Sequence, residues 1–332
     1  MKVSLKWLAE YVDIHGLSPE TIAERLTFAG IEVEEILKAA IGDHLVIGHV
    51  LECVNMPESD HLHIVKVDEG PRYGVQQIVC GAPNIAQGQK VIVSRPGATI
   101  AKGKITQTVI KGVESNGMVC SLLELGVDSK YLSQAQIDGI EVLPVDAEVG
   151  NEDVLAYLGL DDTILDLKLL ANRSDCLSLL NVAKEVGALF DRPVNLPSVT
   201  YAKGRLTDAK VETLTKKCPQ FSIKVVRGVK VGESPDWLKN ILRSQGVRNI
   251  NNLVDIGNYV MLLTGQPLHM YDLKKLPNAH FVVKDDYEGQ LVALDGQSYD
   301  VQKGDIVITV DGKPRCLGGN MGALDCEVDE TT

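Results

Sequence analysis

The segment NYVMLLTGQPLHMYD, residues 258–272, places a single histidine in an otherwise largely apolar sequence. The apolar residues before Gly265 suit the packed face of a buried element, and the Gly-Gln-Pro sequence marks a turn. His269 then stands between Leu268 and Met270. An imidazole in such surroundings can be a core side chain, a metal ligand or a reactive group, because its pKa lies near neutrality. The segment alone leaves these three roles open.

A second candidate is a stretch without acidic residues in an acidic chain. The 332 residues carry a net charge of −12, yet no Asp or Glu occurs between residues 71 and 113. The net charge argues against nonspecific nucleic-acid binding by the whole surface. The acid-free stretch nevertheless holds Arg72, Lys90, Arg95, Lys102, Lys104 and Lys111. A local face of this kind suits RNA phosphates, and the alternative is a solvated rim that arose by chance.

Metal and nucleotide sites are not expected in this chain. His61 and His63 are two residues apart, a spacing that can share a metal on one face of a strand, but no third ligand is evident nearby. No phosphate-binding glycine loop occurs, and the seven cysteines form no CxxC pair. No apolar run is long enough to span a membrane and no signal peptide is present. We therefore expect a cytoplasmic chain without a metal ion.

The elements that position these residues fall into three regions. Residues 1–39 and 152–200 are expected to form one mixed domain, with a helix over LSPETIAERLTFAG between Ser18 and Gly30 as caps. The same domain should contain a buried strand, ILDLKLL, and a helix that Ser174 or Asp175 caps. Residues 40–151 contain five or six short β-like runs separated by turns, which predicts a small closed barrel or sandwich inserted into that domain.

The third region, residues 205–332, has an α+β pattern. FSIKVVRGVKV, residues 221–231, predicts a strand, and SPDWLKNILRSQGV predicts a helix that begins near Ser234 and ends near Gly246. HFVVKD, QLVALDG and DIVITVDG predict three further strands, each closed by a turn.

Two strings in the barrel region resemble a known module. SNGMVCSLLELG, residues 115–126, follows VCGAPNIAQGQKVIV, residues 79–93, and the pair resembles the tRNA-binding OB-fold module of several aminoacyl-tRNA synthetases. MKVSLKWLAEYVDI, NRSDCLSLLNVAKEVGAL and INNLVDIGNYVMLLTGQPLHMYDLKKL are similar to the bacterial phenylalanyl-tRNA synthetase β-subunit family, in the same order and over essentially the whole chain. The resemblance implies an α+β multidomain fold: an OB barrel at 40–151 inside the mixed domain, then a B3/B4-type editing domain that is incomplete at its C-terminus.

The resemblance also implies a function. The chain would bind the phenylalanine tRNA and contribute to hydrolytic editing of tyrosine wrongly attached to it. Tyrosine differs from phenylalanine by one hydroxyl, and a hydrophobic pocket rejects an added hydroxyl only weakly. A second, hydrolytic site is useful because it removes the tyrosine that the first pocket accepts. The family works with an α subunit, which carries out the ATP-dependent aminoacylation, in an α2β2 heterotetramer. Its ATP and magnesium chemistry lies outside this chain, so we expect no cofactor here.

Five residues match the editing-site motifs of this family. The match implies that Arg248 holds the terminal adenosine or its phosphate, that Asn258 orients the substrate, and that His269 positions a water or hydrogen-bonds the ester. Gly318 and Gly319 would let the backbone approach the ligand closely. Two departures occur: Ala323 stands where the family has a second glycine, and the glutamate that recognises the tyrosine hydroxyl in the family lies beyond residue 332.

Other interpretations stay open. The chain could be a non-catalytic tRNA-binding or scaffolding fragment with an inactive pocket, or an unrelated α+β protein with a barrel insert. His269 could be a core or turn residue, Arg248 a surface residue, and the glycine pair only a tight turn. Tyr73 is the only aromatic residue between positions 45 and 127. RNA contact by the barrel would therefore depend on charge and shape more than on base stacking.

Overall fold

The computed structural model describes residues 1–57, 59–200, 204 and 207–332. Its described residues divide into two compact units: Met1–Ser174 with Lys184–Pro193 and Arg243–Arg248, and Asp175–Ala183 with Val194–Leu242 and Asn249–Thr332. The expected start of the third region at residue 205 lies outside the described residues. The expected domain limits remain predictions.

A three-stranded antiparallel sheet of order β1-β13-β2 joins the start of the chain to the region after the barrel. Ser18 caps the longer N-terminal helix as expected, since its hydroxyl accepts a hydrogen bond from the Thr21 amide at 3.1 Å. The expected buried strand is present, with Leu165 and Leu167 in the core. The elements are β1 (Lys2–Ser4), α1 (Leu5–Leu8), α2 (Pro19–Phe28), β2 (Glu32–Lys38) and, after the barrel, α4 (Val154–Tyr157), β13 (Thr163–Lys168) and α5 (Leu179–Phe190).

The strands between Leu45 and Leu143 form a nearly closed β-barrel. Its main sheet has the order β11-β6-β3-β4-β5, and β12 also pairs with β6. Hydrogen bonds from the Asn116 amide to the Gln77 carbonyl (2.8 Å) and from the Val79 amide to the Ser115 hydroxyl (3.0 Å) bring the two ends of this sheet together. The elements are β3 (Leu45–Asn55), β4 (His63–Asp68), β5 (Val75–Cys80), β6 (Lys90–Ser94), β7 (Thr99–Ile100), β8 (Gly103–Lys104), β9 (Thr108–Ile110), β10 (Val113–Ser115), β11 (Met118–Val119), α3 (Gln134–Asp138) and β12 (Val142–Leu143).

The last region is built on a five-stranded sheet of order β14-β15-β18-β19-β20, in which only the β14–β15 pair is parallel. Helix α7 begins at the Asn251 cap and ends at Gly265, whose φ of 78° terminates it. The elements are β14 (Lys210–Thr213), α6 (Asp236–Ser244), α7 (Asn252–Thr264), β15 (His280–Lys284), β16 (Gly289–Val292), β17 (Ser298–Val301), β18 (Val307–Val310), β19 (Lys313–Leu317) and β20 (Met321–Gly322).

Two expectations about local structure were wrong. Residues 221–231 form no strand, because the parallel strand β14 takes the place beside β15. The alternating pattern instead lets Phe221 pack against Phe281, with ring centroids 6.4 Å apart, while Val226 remains exposed. Neither Ser174 nor Asp175 caps α5, because this helix begins later than expected, at Leu179. The side chain just before it, that of Ser178, accepts a hydrogen bond from the Asn181 amide at 3.3 Å.

Candidate functional sites: a basic groove and a buried histidine

A groove of about 640 Å³ runs along one side of the barrel. Its walls come from the end of β5, the β7–β8 hairpin, the segment from β9 to β11 and the end of α3. The hairpin turns at Ala101 and Lys102 and places Lys102 and Lys104 on the groove wall, both exposed to solvent. Within the described residues, neither lysine has a carboxylate partner. Two cations without counter-ions on the wall of an open groove can receive anionic groups such as phosphates.

The groove also has an acidic side. Glu124 and Asp138 contribute to its lining. The Glu124 carboxylate accepts hydrogen bonds from the amide and hydroxyl of Ser121 at 2.7 and 2.9 Å, and Asp138 accepts from the Gln134 amide group. Both carboxylates are thus held by neutral donors. A polyanion in this groove would place its phosphates toward the hairpin and away from this side.

The two arginines of the acid-free stretch have carboxylate partners. Arg72 donates to Glu152 at 2.7 Å, and the Arg95 Nε donates to Glu69 at 3.2 Å. Both guanidinium groups lie over the ring of Tyr73, at 5.1 and 3.3 Å from its centroid. Because the arginines cover this ring, Tyr73, which lies in the loop between β4 and β5, does not offer a free surface for base stacking. The predicted RNA contacts of Arg72 and Arg95 remain untested.

The remaining two predicted contacts lie away from the groove lining. Lys90 is half-buried at the start of β6, and Lys111 is exposed in the β9–β10 turn, where it helps to keep the pKa of Asp60 low. The first cause of that low pKa is the hydrogen bond between Asp60 and His61, at 2.7 Å. Of the six predicted cations, only Lys102 and Lys104 line the groove, while Arg72 and Arg95 meet at Tyr73 outside it.

His269 lies a few residues after the end of α7, and its ring faces Gly322 of strand β20. Its ring packs edge-on against Tyr271 with centroids 4.4 Å apart, and Tyr271 packs in turn against Phe281 at 5.3 Å. The Nε2 atom is buried and has no hydrogen-bond partner among the described residues. Burial lowers the pKa of this imidazole, so that the ring is neutral at neutral pH. A neutral imidazole can donate or accept one hydrogen bond, but a reactant reaches Nε2 only after neighbouring atoms move.

Gly322 determines where this imidazole fits. A Cβ atom at Gly322 would lie 2.2 Å from both Cε1 and Nε2 of His269, which is far inside a normal contact. The glycine backbone is held in the sheet by its pairing with Cys316 and by the hydrogen bond that its carbonyl accepts from the Leu294 amide. Gly322 was not among the site residues predicted from the sequence. The Met-Gly sequence before Ala323 was the signal that could have revealed it.

The other glycines serve the turn that leads to Gly322. A Cβ atom at Gly318 would lie 2.7 Å from the Ile306 side chain, so this glycine permits close packing at the end of β19. Gly319 has a φ of 74° and open space around it, as a turn residue does. Ala323 is 3% exposed and belongs to the hydrophobic core beside Ala293, to which it forms a β-bridge.

The last two predicted site residues belong to different compact units. Asn258 lies half-buried on α7, and a Cβ atom at the preceding Gly257 would lie 3.4 Å from Met270 Cε. The helix thus packs against the residue next to His269. Arg248 is exposed in the loop between α6 and α7 and belongs to the first unit, whereas Asn258 and His269 belong to the second. The roles of all these residues stay predictions.

Comparisons with known proteins match both regions. The family described as putative tRNA binding domain matches residues 45–151, and the B3/4 domain family matches residues 217–332. A phenylalanine–tRNA ligase beta subunit from Streptococcus thermophilus is 45% identical and covers 100% of this chain, which spans 42% of that protein. The one from Streptococcus pneumoniae serotype 4 is 43% identical, covering 99% of this chain and 41% of its own length. The chain therefore spans about two fifths of the curated relatives it matches.

One solved structure is similar to part of the chain. A CsaA chaperone protein from Picrophilus torridus is 16% identical and covers 32% of this chain and 88% of its own, with a TM-score of 0.24, so no argument rests on it. None of the helices in the described ranges has the length and apolarity needed to cross a membrane.

Proposed function

The chain belongs to the phenylalanine–tRNA ligase beta-subunit family, and we propose that its barrel binds tRNA through the groove that Lys102 and Lys104 border. The observation that carries this proposal is the exposed β7–β8 hairpin, which presents two lysines without counter-ions on the wall of a groove of about 640 Å³. Backbone phosphates supply much of the affinity in such contacts. The match of residues 45–151 to a tRNA-binding family supports the same assignment.

The mode of recognition follows from what the groove lacks. Tyr73 is covered by arginines, and no described residue of the groove lining is aromatic. Binding therefore depends on charge and on the shape of the folded RNA, and sequence-specific base stacking contributes little. The acidic side of the groove, at Glu124 and Asp138, orients the RNA backbone toward the hairpin. Affinity should be moderate and strongly dependent on salt.

Fluorescence anisotropy with labelled tRNA tests this proposal. Replacing both Lys102 and Lys104 by alanine should weaken binding by roughly tenfold or more at low salt, because two phosphate contacts are lost. Lys66→Ala is the matched control, since this exposed lysine of β4 lies outside the groove lining and is paired with Glu52 at 2.8 Å. Equal affinities of the double variant and the wild-type chain would contradict the proposed groove.

We further propose that the last region contributes to editing of tyrosine attached to the phenylalanine tRNA. The buried, neutral His269 and the close approach that Gly322 permits support this role. The described contacts of His269 include no carboxylate that would set its tautomer and stabilise the imidazolium formed when a general base takes up a proton. It would instead hydrogen-bond a water molecule or the ester, while Asn258 would orient the substrate and Gly318 and Gly319 would let the backbone approach it closely. For Arg248 the proposed role, by family resemblance alone, is to hold the terminal adenosine or its phosphate.

Deacylation of tyrosyl-tRNA and phenylalanyl-tRNA, both on the phenylalanine acceptor, tests editing. This chain should be compared with one extended past residue 332 by about a hundred residues, a rough half-domain allowance. Selective loss of tyrosine that disappears in His269→Ala supports editing. If the extended chain also fails to release tyrosine, the alternative of a non-catalytic tRNA-binding fragment stands.

The remaining proposals concern the whole protein. By relation to the beta subunits, we propose that it works with an α subunit in an α2β2 enzyme that joins phenylalanine to tRNA in the cytoplasm. ATP and magnesium would act in other parts of that enzyme. Co-purification of the full-length protein with an α subunit, followed by its mass in solution, checks this arrangement.

A further inference from the structure

A buried carboxylate sits beside the barrel, on the loop that follows β4. Glu69 is only 1% exposed. The loop is pressed against the chain near residue 150, since a Cβ atom at Gly70 would lie 2.7 Å from the Gly150 Cα. One oxygen of Glu69, Oε2, accepts the hydrogen bond from Arg95 Nε at 3.2 Å. The other oxygen, Oε1, is buried without a hydrogen-bond partner among the described residues. This half-satisfied carboxylate needs an explanation.

The partner of Glu69 is an arginine next to the proposed RNA groove. The Arg95 carbonyl accepts from the Ala98 amide at the base of the β7–β8 hairpin, and a Cβ atom at Gly117, which lines the groove, would lie 3.7 Å from the Arg95 Cα. The Arg95 side chain turns away from this position, onto Glu69 and the Tyr73 ring, and only 27% of it is exposed. The backbone of Arg95 thus borders the groove while its charge is held elsewhere.

We propose that Glu69 is a positioning residue that withholds the Arg95 guanidinium from RNA, and that loss of the Glu69 charge releases this guanidinium as an additional phosphate contact. The inference rests on the proposed tRNA binding by the barrel. A released arginine has a long, flexible side chain whose base is already at the groove. Arginine is suited to this contact because its fork of donors matches phosphate oxygens.

Proton binding offers a route to this release. Burial raises the pKa of Glu69 to about 7, although the charge of Arg95 and its hydrogen bond act in the opposite direction. Glu69 lines a cavity of about 530 Å³ together with Arg72, Glu148 and Asp153, and Arg95 reaches Glu69 from the segment after β6. The titratable and charged neighbours of Glu69 are Asp68, Arg72, Tyr73, Arg95, Glu148, Glu152 and Asp153.

Burial favours a neutral Glu69, whereas the charge of its neighbour Arg95 favours the ionised form. Glu152 already binds both Arg72 and the Tyr73 hydroxyl, at 2.7 and 2.9 Å, so it holds that part of the cluster without help from Glu69. The unpartnered Oε1 gains nothing from ionisation, because a buried charge without hydrogen bonds is costly. A modest fall in pH, or a competing phosphate, therefore suffices to separate Glu69 from Arg95.

The test measures tRNA affinity against salt and pH for the wild-type chain, Glu69→Gln and Glu69→Gln combined with Arg95→Ala. We expect Glu69→Gln to bind more tightly at pH 8, by roughly threefold to tenfold, with a salt slope steeper by about 0.7 to 0.9, the amount for one phosphate. Arg95→Ala should abolish both gains. The wild-type chain should approach the Glu69→Gln affinity as the pH falls from 8 to 6, and Glu69→Gln should change less.

Glu52→Gln is the matched control, since it also removes one carboxylate that pairs with a cation, here Lys66 on the exposed barrel surface. An equal gain in Glu52→Gln would overturn the inference, because net charge alone would then explain it. A lower melting temperature of Glu69→Gln with unchanged affinity and salt slope would also overturn it, since the pair would then be purely structural. If the wild-type chain and every variant fail to bind tRNA, the proposed function fails and the inference falls with it.

Discussion

A single methyl group at residue 322 should displace the imidazole of His269. In Gly322→Ala the new carbon would start 2.2 Å from two ring atoms of His269. The strand cannot retreat easily, since residue 322 pairs with Cys316 and its carbonyl is hydrogen-bonded to the Leu294 amide. The ring must therefore move by more than an ångström to reach ordinary van der Waals distance. Tyr271, which packs 4.4 Å away, blocks one direction.

The cost follows from overpacking. Inserting a methyl group into a packed interior typically destabilises the folded state by about 1 to 3 kcal/mol. For Gly322→Ala we expect a destabilisation in the middle of this range, about 2 kcal/mol, because the contact is close. In a His269→Ala background the methyl group has space. The same substitution should then cost little, so the two positions should show a coupling free energy of about 2 kcal/mol.

Hydrogen exchange read by mass spectrometry is the suitable assay. The described chain has two compact units, so unfolding of the whole chain does not isolate this region. Peptides that cover β18 and β19 should lose protection in Gly322→Ala and regain it in the double variant. Gly257→Ala is the control, because its Cβ atom would lie 3.4 Å from the flexible end of Met270 and alanine favours a helix interior. Unchanged protection in Gly322→Ala would refute the packing argument.

Three further substitutions have defined outcomes. The folded-state pKa of Glu69 is about 7, above its ordinary 4.5, so the protonated form stabilises the folded state. This stabilisation is complete below about pH 4.5 and is lost as the pH rises through 7, a loss on the order of 3 kcal/mol. Glu69→Gln should abolish this part of the pH dependence, measured as hydrogen exchange of the barrel. Asp255 is fully buried and accepts hydrogen bonds from Ser234 (2.6 Å) and the Ile250 amide (2.9 Å), so Asp255→Ala should destabilise its region by about 3 kcal/mol in the same assay; a loss below about 1 kcal/mol would contradict this. Ser18→Ala removes the N-cap of α2 and should destabilise this helix by about 1 kcal/mol. Hydrogen exchange in the first turn of α2 should then be faster, and an unchanged exchange rate would contradict the role of the cap.

Local signals in the sequence predicted local structure well. The Ser18 cap and Gly30, which has a φ of 88°, mark the limits of α2 as predicted, and the turn predicted at Gly265 ends α7, whose helical type was not predicted. The strand predicted at residues 221–231 was wrong. Alternation of apolar and polar residues indicates which side chains are buried, whereas strand pairing depends on whether the edge of a neighbouring strand is free. Here β14, a short segment with weak apolar character, took that edge.

The site was less predictable because its determinants are distant in sequence. Arg72 and Glu152 are 80 positions apart, and nothing near Arg72 indicated that it would be paired. Six cations were predicted from one stretch, but only Lys102, in the β7–β8 turn, and Lys104, in β8, line the groove. For His269, the sequence identified the residue, while the need for a glycine at position 322 arises from a contact between two segments that only the fold brings together.

The most direct test of the central claim is the salt dependence of tRNA binding. The logarithm of the association constant should fall linearly with the logarithm of salt concentration for the wild-type chain. In the chain with alanine at both Lys102 and Lys104, the slope should be shallower by about 1.4 to 1.8, the amount for two phosphate contacts. An identical slope and affinity in the two chains would contradict the account, because the groove lysines would then contribute no phosphate contact.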